Sequence, residues 1–120
     1  MSTITDEIPR DAWRRYFDDL SKRLVTVEAT VEVDGRDLGA QIAVERLLLE
    51  GITYDDRDDA LVIAFDVPGG DPDAYEHVIE APQRIFVATG DSLDVTIDVE
   101  DAEQHKTIVR LEPPPALPGA

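Results

Sequence analysis

The stretch Gly51–Phe65, GITYDDRDDALVIAF, decides how the rest of the chain is read. It holds two apolar runs, Ile52–Tyr54 and Ala60–Phe65, separated by five residues of which four are aspartate. A short Asp-rich break between apolar runs reads as a β-hairpin, because aspartate accepts turn geometry and hydrogen-bonds its own backbone. The break is also the densest group of carboxylates in the chain. The first candidate for site chemistry therefore sits at the tip of a hairpin.

Upstream of the hairpin, Leu38, Ala40, Ile42 and Val44 alternate with Gly39, Gln41, Ala43 and Glu45. Leu47, Leu48 and Leu49 break that alternation, as a bulge would, and Gly51 marks the end of the run. Further back, Val25, Val27, Ala29, Val31 and Val33 alternate with Thr26, Glu28, Thr30 and Glu32. A strict period of two means one buried and one wet face. Asp34-Gly35 between these strands is a hairpin turn signal. Before them, Trp13, Tyr16, Phe17 and Leu20 fall at i, i+3, i+4 and i+7, one stripe of a helix that Pro9 opens and Lys22 and Arg23 close.

Downstream, Val67–Tyr75 (VPGGDPDAY) is read as a loop. Short strands follow at Tyr75–Glu80 and Arg84–Ala88, then an alternating strand at Leu93–Val99 and a last one from His105 to Leu111. Strands joined by short polar turns pair antiparallel, since a parallel crossover needs a dozen or more residues. The expected fold is α+β and mainly β: an N-terminal helix packed on a bent, meander-like antiparallel sheet of six to seven strands, partly barrel-like. Residues 1–8 are read as a flexible N-terminus, 9–112 as one domain, and 113–120 as a Pro-rich disordered tail.

The totals restrict function. A chain of 120 residues is one domain with room for a real core. With no cysteine, disulfides, thiolate zinc sites and a thiol nucleophile are excluded. No apolar run approaches the roughly 18 residues that span a bilayer, and the N-terminus has no signal-peptide pattern, so a soluble cytoplasmic protein is expected. Asp plus Glu number 27 against 11 Lys plus Arg, a net charge of −16. Such a surface repels nucleic acid and anionic lipid, so partners of either kind are not expected. Nine of the eleven cations are Arg, a balance that fits a halophilic or salt-adapted source or a GC-rich genome.

The opening IPRDAWRRYFDDLSKRL, the GAQ at Gly39–Gln41, the Gly51–Phe65 hairpin and the closing TIVRL together resemble an uncharacterised family of small bacterial proteins. That family is a domain of unknown function with an N-terminal IPRxxW helix and a GITYDxxxD hairpin. Tyr54–Leu61, YDxxxDxL, is also similar to the start of a second small uncharacterised domain. Neither resemblance implies a reaction or a set of functional residues.

Candidate site residues follow from residue chemistry. Asp55, Asp56, Asp58 and Asp59 are oxygen donors suited to a hard cation such as calcium, with Asp71 and Asp73 of the Gly69–Asp73 loop as further ligands if the loops meet. Their spacing does not fit an EF-hand, and a solvated acidic turn is the plainer reading. His77 and His105 are the only histidines and have no evident nucleophile to serve. Asp94 with Asp98, and Glu76 with Glu80, lie too far apart along a strand for paired-carboxylate chemistry. Pro115–Pro118 is a PxxP match in the tail. No catalytic residue and no cofactor is assigned. The expected function is a non-enzymatic binding or interaction module, with a protein partner or a second copy at a sheet edge. The alternative is a metal- or small-ligand-binding protein using the Asp55–Asp59 turn and the Gly69–Asp73 loop.

Overall fold

The computed structural model describes residues 3–24, 26–35, 39–67, 69, 75–90 and 94–113. Strand β1 (Ile4–Ile8) leads through a 3₁₀ turn at Arg10–Ala12 into helix α1 (Trp13–Arg23). Strands β2 (Glu28–Gly35), β3 (Gly39–Asp55), β4 (Ala60–Phe65) and β5 (Glu76–Glu80) follow, then β6 (Pro82–Thr89), β7 (Val95–Asp101) and β8 (Lys106–Glu112). All eight form one antiparallel sheet in the order β1-β6-β7-β8-β2-β3-β4-β5. Two meanders, β2 to β5 and β6 to β8, are joined side by side through the β2–β8 ladder. The sheet does not close: β1 and β5 are its two edges.

This is the mainly β, α+β architecture expected, with one helix on a bent antiparallel sheet, and the strand count is corrected from six or seven to eight. The additional strand is β1, which falls within residues read as a flexible N-terminus. Four of its five side chains are exposed, so it leaves no alternation to read. Its backbone ladder to β6, from Ile4–Thr89 to Ile8–Ile85, is what makes it a strand. A second correction concerns Gly51, which ends nothing: β3 runs through it for 17 residues. A third concerns Asp34 and Gly35, which lie inside β2, with the connecting residues 36–38 outside those described.

The bend of the sheet comes from β3. Its first half pairs with β2 and its second half with β4. Register slips against β2 between Val44 and Leu47 and between Ile42 and Val44, and against β4 between Leu49 and Gly51. Each slip places an extra residue on β3, and each such bulge bends and twists the strand. Arg46 takes positive φ at the second of these sites along the chain, and its N–H donates to Thr30 Oγ1 at 3.2 Å. The leucine run that defied alternation is therefore a bulged strand.

The concave face carries the core. Ala29, Val31, Ile85, Ile97, Val99 and Val109 from one side of the bend meet Ile52, Leu61, Ile63 and Ile79 from the other, all buried. Helix α1 lies against β3 and inserts Trp13, Phe17 and Leu20, the stripe read from its spacing; Tyr16 is only partly buried. Lys22 and Arg23 stand in the last turn, where they complement the helix dipole. No described helix is long and apolar enough to cross a membrane.

Candidate functional site

The hairpin tip forms as the sequence implies, with Asp55 paired to Ala60 and residues 56–59 turning the chain. Three of its four carboxylates are already engaged. Asp55 Oδ1 accepts from the N–H groups of Arg57 (3.0 Å) and Asp58 (3.3 Å), which holds the turn itself. Asp59 takes positive φ, and its Oδ1 accepts from the Tyr54 hydroxyl at 2.6 Å and from Arg10 Nη1 at 3.3 Å. Asp56 pairs with Arg14 at 3.5 Å between two exposed side chains. Asp58 is exposed and supplies its backbone N–H to the turn.

Those contacts tie the tip to the N-terminal segment. The Arg10 guanidinium also donates to the Pro82 carbonyl at 2.9 Å and lies 4.5 Å from the centre of the Trp13 ring. Trp13 stands edge-on to Tyr54 at 5.1 Å, and its indole N–H donates to the Ile8 carbonyl at 2.8 Å. Two turns further along the helix, Ser21 Oγ both accepts from the Ile52 N–H and donates to the Ile52 carbonyl, at 2.9 and 3.0 Å. Burial, then the bond to Asp59, pushes the Tyr54 phenol above its ordinary range, so it remains a donor. Two of the stretches that carry the family resemblance, the opening helix segment and the Gly51–Phe65 hairpin, therefore meet as a clamp. Among the described residues no three Asp, Glu or His side chains gather in a way that would hold a metal ion. Asp71 and Asp73 lie outside the described residues.

A second place gathers residues that are distant in sequence. β5 passes into β6 through the single residue Ala81, at φ +50°. Its N–H donates to the Asp59 carbonyl (2.8 Å) and its carbonyl accepts from the Ala102 N–H (3.0 Å), so the chain leaves one ladder and enters another at a sharp corner. The corner sets β5 beside the β7–β8 turn. Between them lies a groove of about 410 Å³, lined by His77, Val78, Ile79 and Glu80 on one side and by Val33, Asp101, Glu103, His105 and Thr107 on the other.

The far wall is internally braced. Asp101 Oδ1 accepts from the N–H groups of Glu103 (2.9 Å) and His105 (3.0 Å), while Oδ2 lies 3.6 Å from His105 Nδ1. The imidazole lies over Gly35, where an added Cβ would stand 2.8 Å from His105 Cδ2. His77 is half-buried, and burial holds its imidazole below the usual histidine range. Both histidines thus line one groove, a meeting that sequence spacing does not show. The Asp101–His105 spacing across a turn was the one signal available. Glu76 and Glu80 share an exposed face, as expected. Asp98 pairs with Lys106 at 3.2 Å, and the PxxP segment lies outside the described residues.

The free side of β5 can be derived from its ladder. Phe65 N–H donates to the Tyr75 carbonyl and Ala81 N–H to the Asp59 carbonyl, so the odd-numbered residues bond toward β4. Bonded and non-bonded pairs alternate in an antiparallel ladder, which leaves the N–H and C=O groups of Glu76, Val78 and Glu80 directed away from β4. Their side chains are exposed as well, Val78 to 47%.

A small, mainly β domain with an internally braced tip and an open edge groove is thus defined by its geometry, and no enzymatic activity is indicated by its relatives. The chain belongs to a family of unknown function, DUF5335, whose model matches residues 4–120. It is 38% identical over 114 residues to an uncharacterized protein of Aquifex aeolicus (strain VF5), covering 95% of this chain and 97% of that one. No solved structure matches.

Proposed function

We propose that this domain is a non-enzymatic binding module that takes up an extended segment of a partner protein as an added strand along β5. One observation carries the reading: β5 is a sheet edge whose outward backbone groups face a groove. Strand addition uses such groups for affinity and alternate side-chain pockets for selectivity. A cytoplasmic setting goes with this reading. The alternative, a metal or small ligand at the Asp55–Asp59 turn, draws less support, because Asp55, Asp56 and Asp59 already serve the turn, Arg14 and the Arg10–Tyr54 clamp.

The test compares the wild type with Val78→Pro in capture from native lysate, followed by hydrogen exchange on the complex. Proline removes a donor that β4 does not use, and edge positions are where strands tolerate it. A partner bound by the wild type, lost by the variant and protecting the amides of Val78 and Glu80 is the expected result. A partner held equally by both proteins, with protection elsewhere, overturns the reading.

A further inference from the structure

We infer that the β5 groove is built for a cationic extended segment, one that alternates Lys or Arg with aliphatic residues. The inference rests on the strand-addition reading and adds the chemistry of the partner. A strand laid beside β5 places its side chains alternately on the two faces of the sheet. On the outer face its neighbours are Glu76, Val78 and Glu80, all exposed. On the inner face they are His77 and buried Ile79, above the Val33 and Thr107 wall of the groove.

The two faces therefore ask for different residues. The outer one presents two carboxylates flanking a valine, and opposite charges directly across a ladder attract while like charges repel. The inner one presents a buried aliphatic side chain and a half-buried imidazole whose charged form burial disfavours, so it favours an apolar residue. Across the groove, exposed Glu103 adds a carboxylate, while Asp101 is held by its own turn and by His105. The net charge of −16 extends the same preference to long range, drawing cations to the surface and opposing a second copy of this chain. Charge complementarity thus selects a basic partner over self-association.

The test titrates the full ¹⁵N-labelled chain with three capped nine-residue peptides in which valine alternates with lysine, serine or glutamate. The lysine peptide is expected to saturate, to move the amides of Val78, Glu80 and Ala102, and to bind on the order of tenfold more tightly than the serine peptide. That advantage should shrink between about 0.05 and 0.5 M NaCl as the Debye length falls. A Glu76→Gln/Glu80→Gln variant, altered only at exposed side chains, should lose the lysine preference and keep the serine-peptide affinity. Equal binding of lysine and serine peptides at β5 overturns the cationic inference and leaves strand addition standing. Failure of every peptide to move the β5 amides overturns both. Lysine-peptide binding that survives Val78→Pro, with shifts scattered over the acidic surface, is charge adsorption and also overturns the inference.

Discussion

The hairpin tip at Asp55–Asp59 and the groove beside β5 both concentrate carboxylates, and they use them in opposite ways. At the tip each of three aspartates has a protein partner: the turn backbone, Arg14, or Tyr54 with Arg10. In the groove Asp101 is spent on its own turn, while Glu76 and Glu80 point to solvent along an edge whose backbone is also unclaimed by β4. Acidic density alone therefore says little about where a ligand binds. What separates a structural carboxylate from an available one is whether the fold has already satisfied it.

The sharpest way to break this comparison is to unseat the tip. Trp13 is fully buried, stacks edge-on to Tyr54 and hydrogen-bonds the end of β1. Trp13→Ala should cost about 3–5 kcal/mol in denaturant unfolding, the usual range for an emptied aromatic site. A loss under about 1 kcal/mol would mean that the helix and the hairpin are not clamped as described. Ser21→Ala comes next. It removes one hydroxyl that serves both backbone groups of Ile52 and leaves a part-buried N–H without its acceptor, a loss of about 1–3 kcal/mol. Restoration by Thr at the same position would separate the hydroxyl's role from packing.

Tyr54→Phe tests the tip carboxylate itself. The substitution keeps the ring against Trp13 and deletes the 2.6 Å bond to Asp59, so about 1 kcal/mol is expected. Asp59→Ala removes the same bond together with the 3.3 Å pair to Arg10, so it should cost more than Tyr54→Phe, and the double variant should cost little more than Asp59→Ala alone. Simple addition of the two losses would show that Asp59 acts through another partner.

The clamp was half legible in the residues. Period-two strands at 29–33 and 95–99, the helical stripe of Trp13, Phe17 and Leu20, and the hairpin over Gly51–Phe65 were all written in local pattern, because local pattern is what burial on one face imposes. The Asp cluster was legible too, but its meaning was not, since Arg10 and Arg14 reach it from more than 40 positions upstream. β1 escaped because its ladder to β6 is made by backbone, which leaves no residue signature when four side chains of five face water. The groove escaped for a deeper reason. His77 and His105 belong to different meanders, and only the Ala81 corner and the β2–β8 pairing bring their strands face to face. Strand order is a long-range property, and a site made by strand order is invisible to spacing.

The smallest expected effect distinguishes the two regions by pH. His77 borders the groove half-buried, with its imidazole held below the ordinary histidine pKa of 6.5 by burial. Between that value and the lower folded one, the unfolded chain binds more protons than the folded chain, so stability rises with pH. The contribution is therefore fully present above about pH 6.5 and is lost as pH falls toward the folded pKa. The tip has no such window near neutrality, since Tyr54 is displaced upward and stays protonated. Melting temperatures at pH 7.5 and 5.5 should diverge more in the wild type than in His77→Leu, while Tyr54→Phe should show the same divergence as the wild type. Equal divergence in the wild type and His77→Leu would place the imidazole in water, and with it the inner face of β5. The edge would then offer an added strand no apolar side to settle on, and the alternation inferred for its partner would lose one of its two halves.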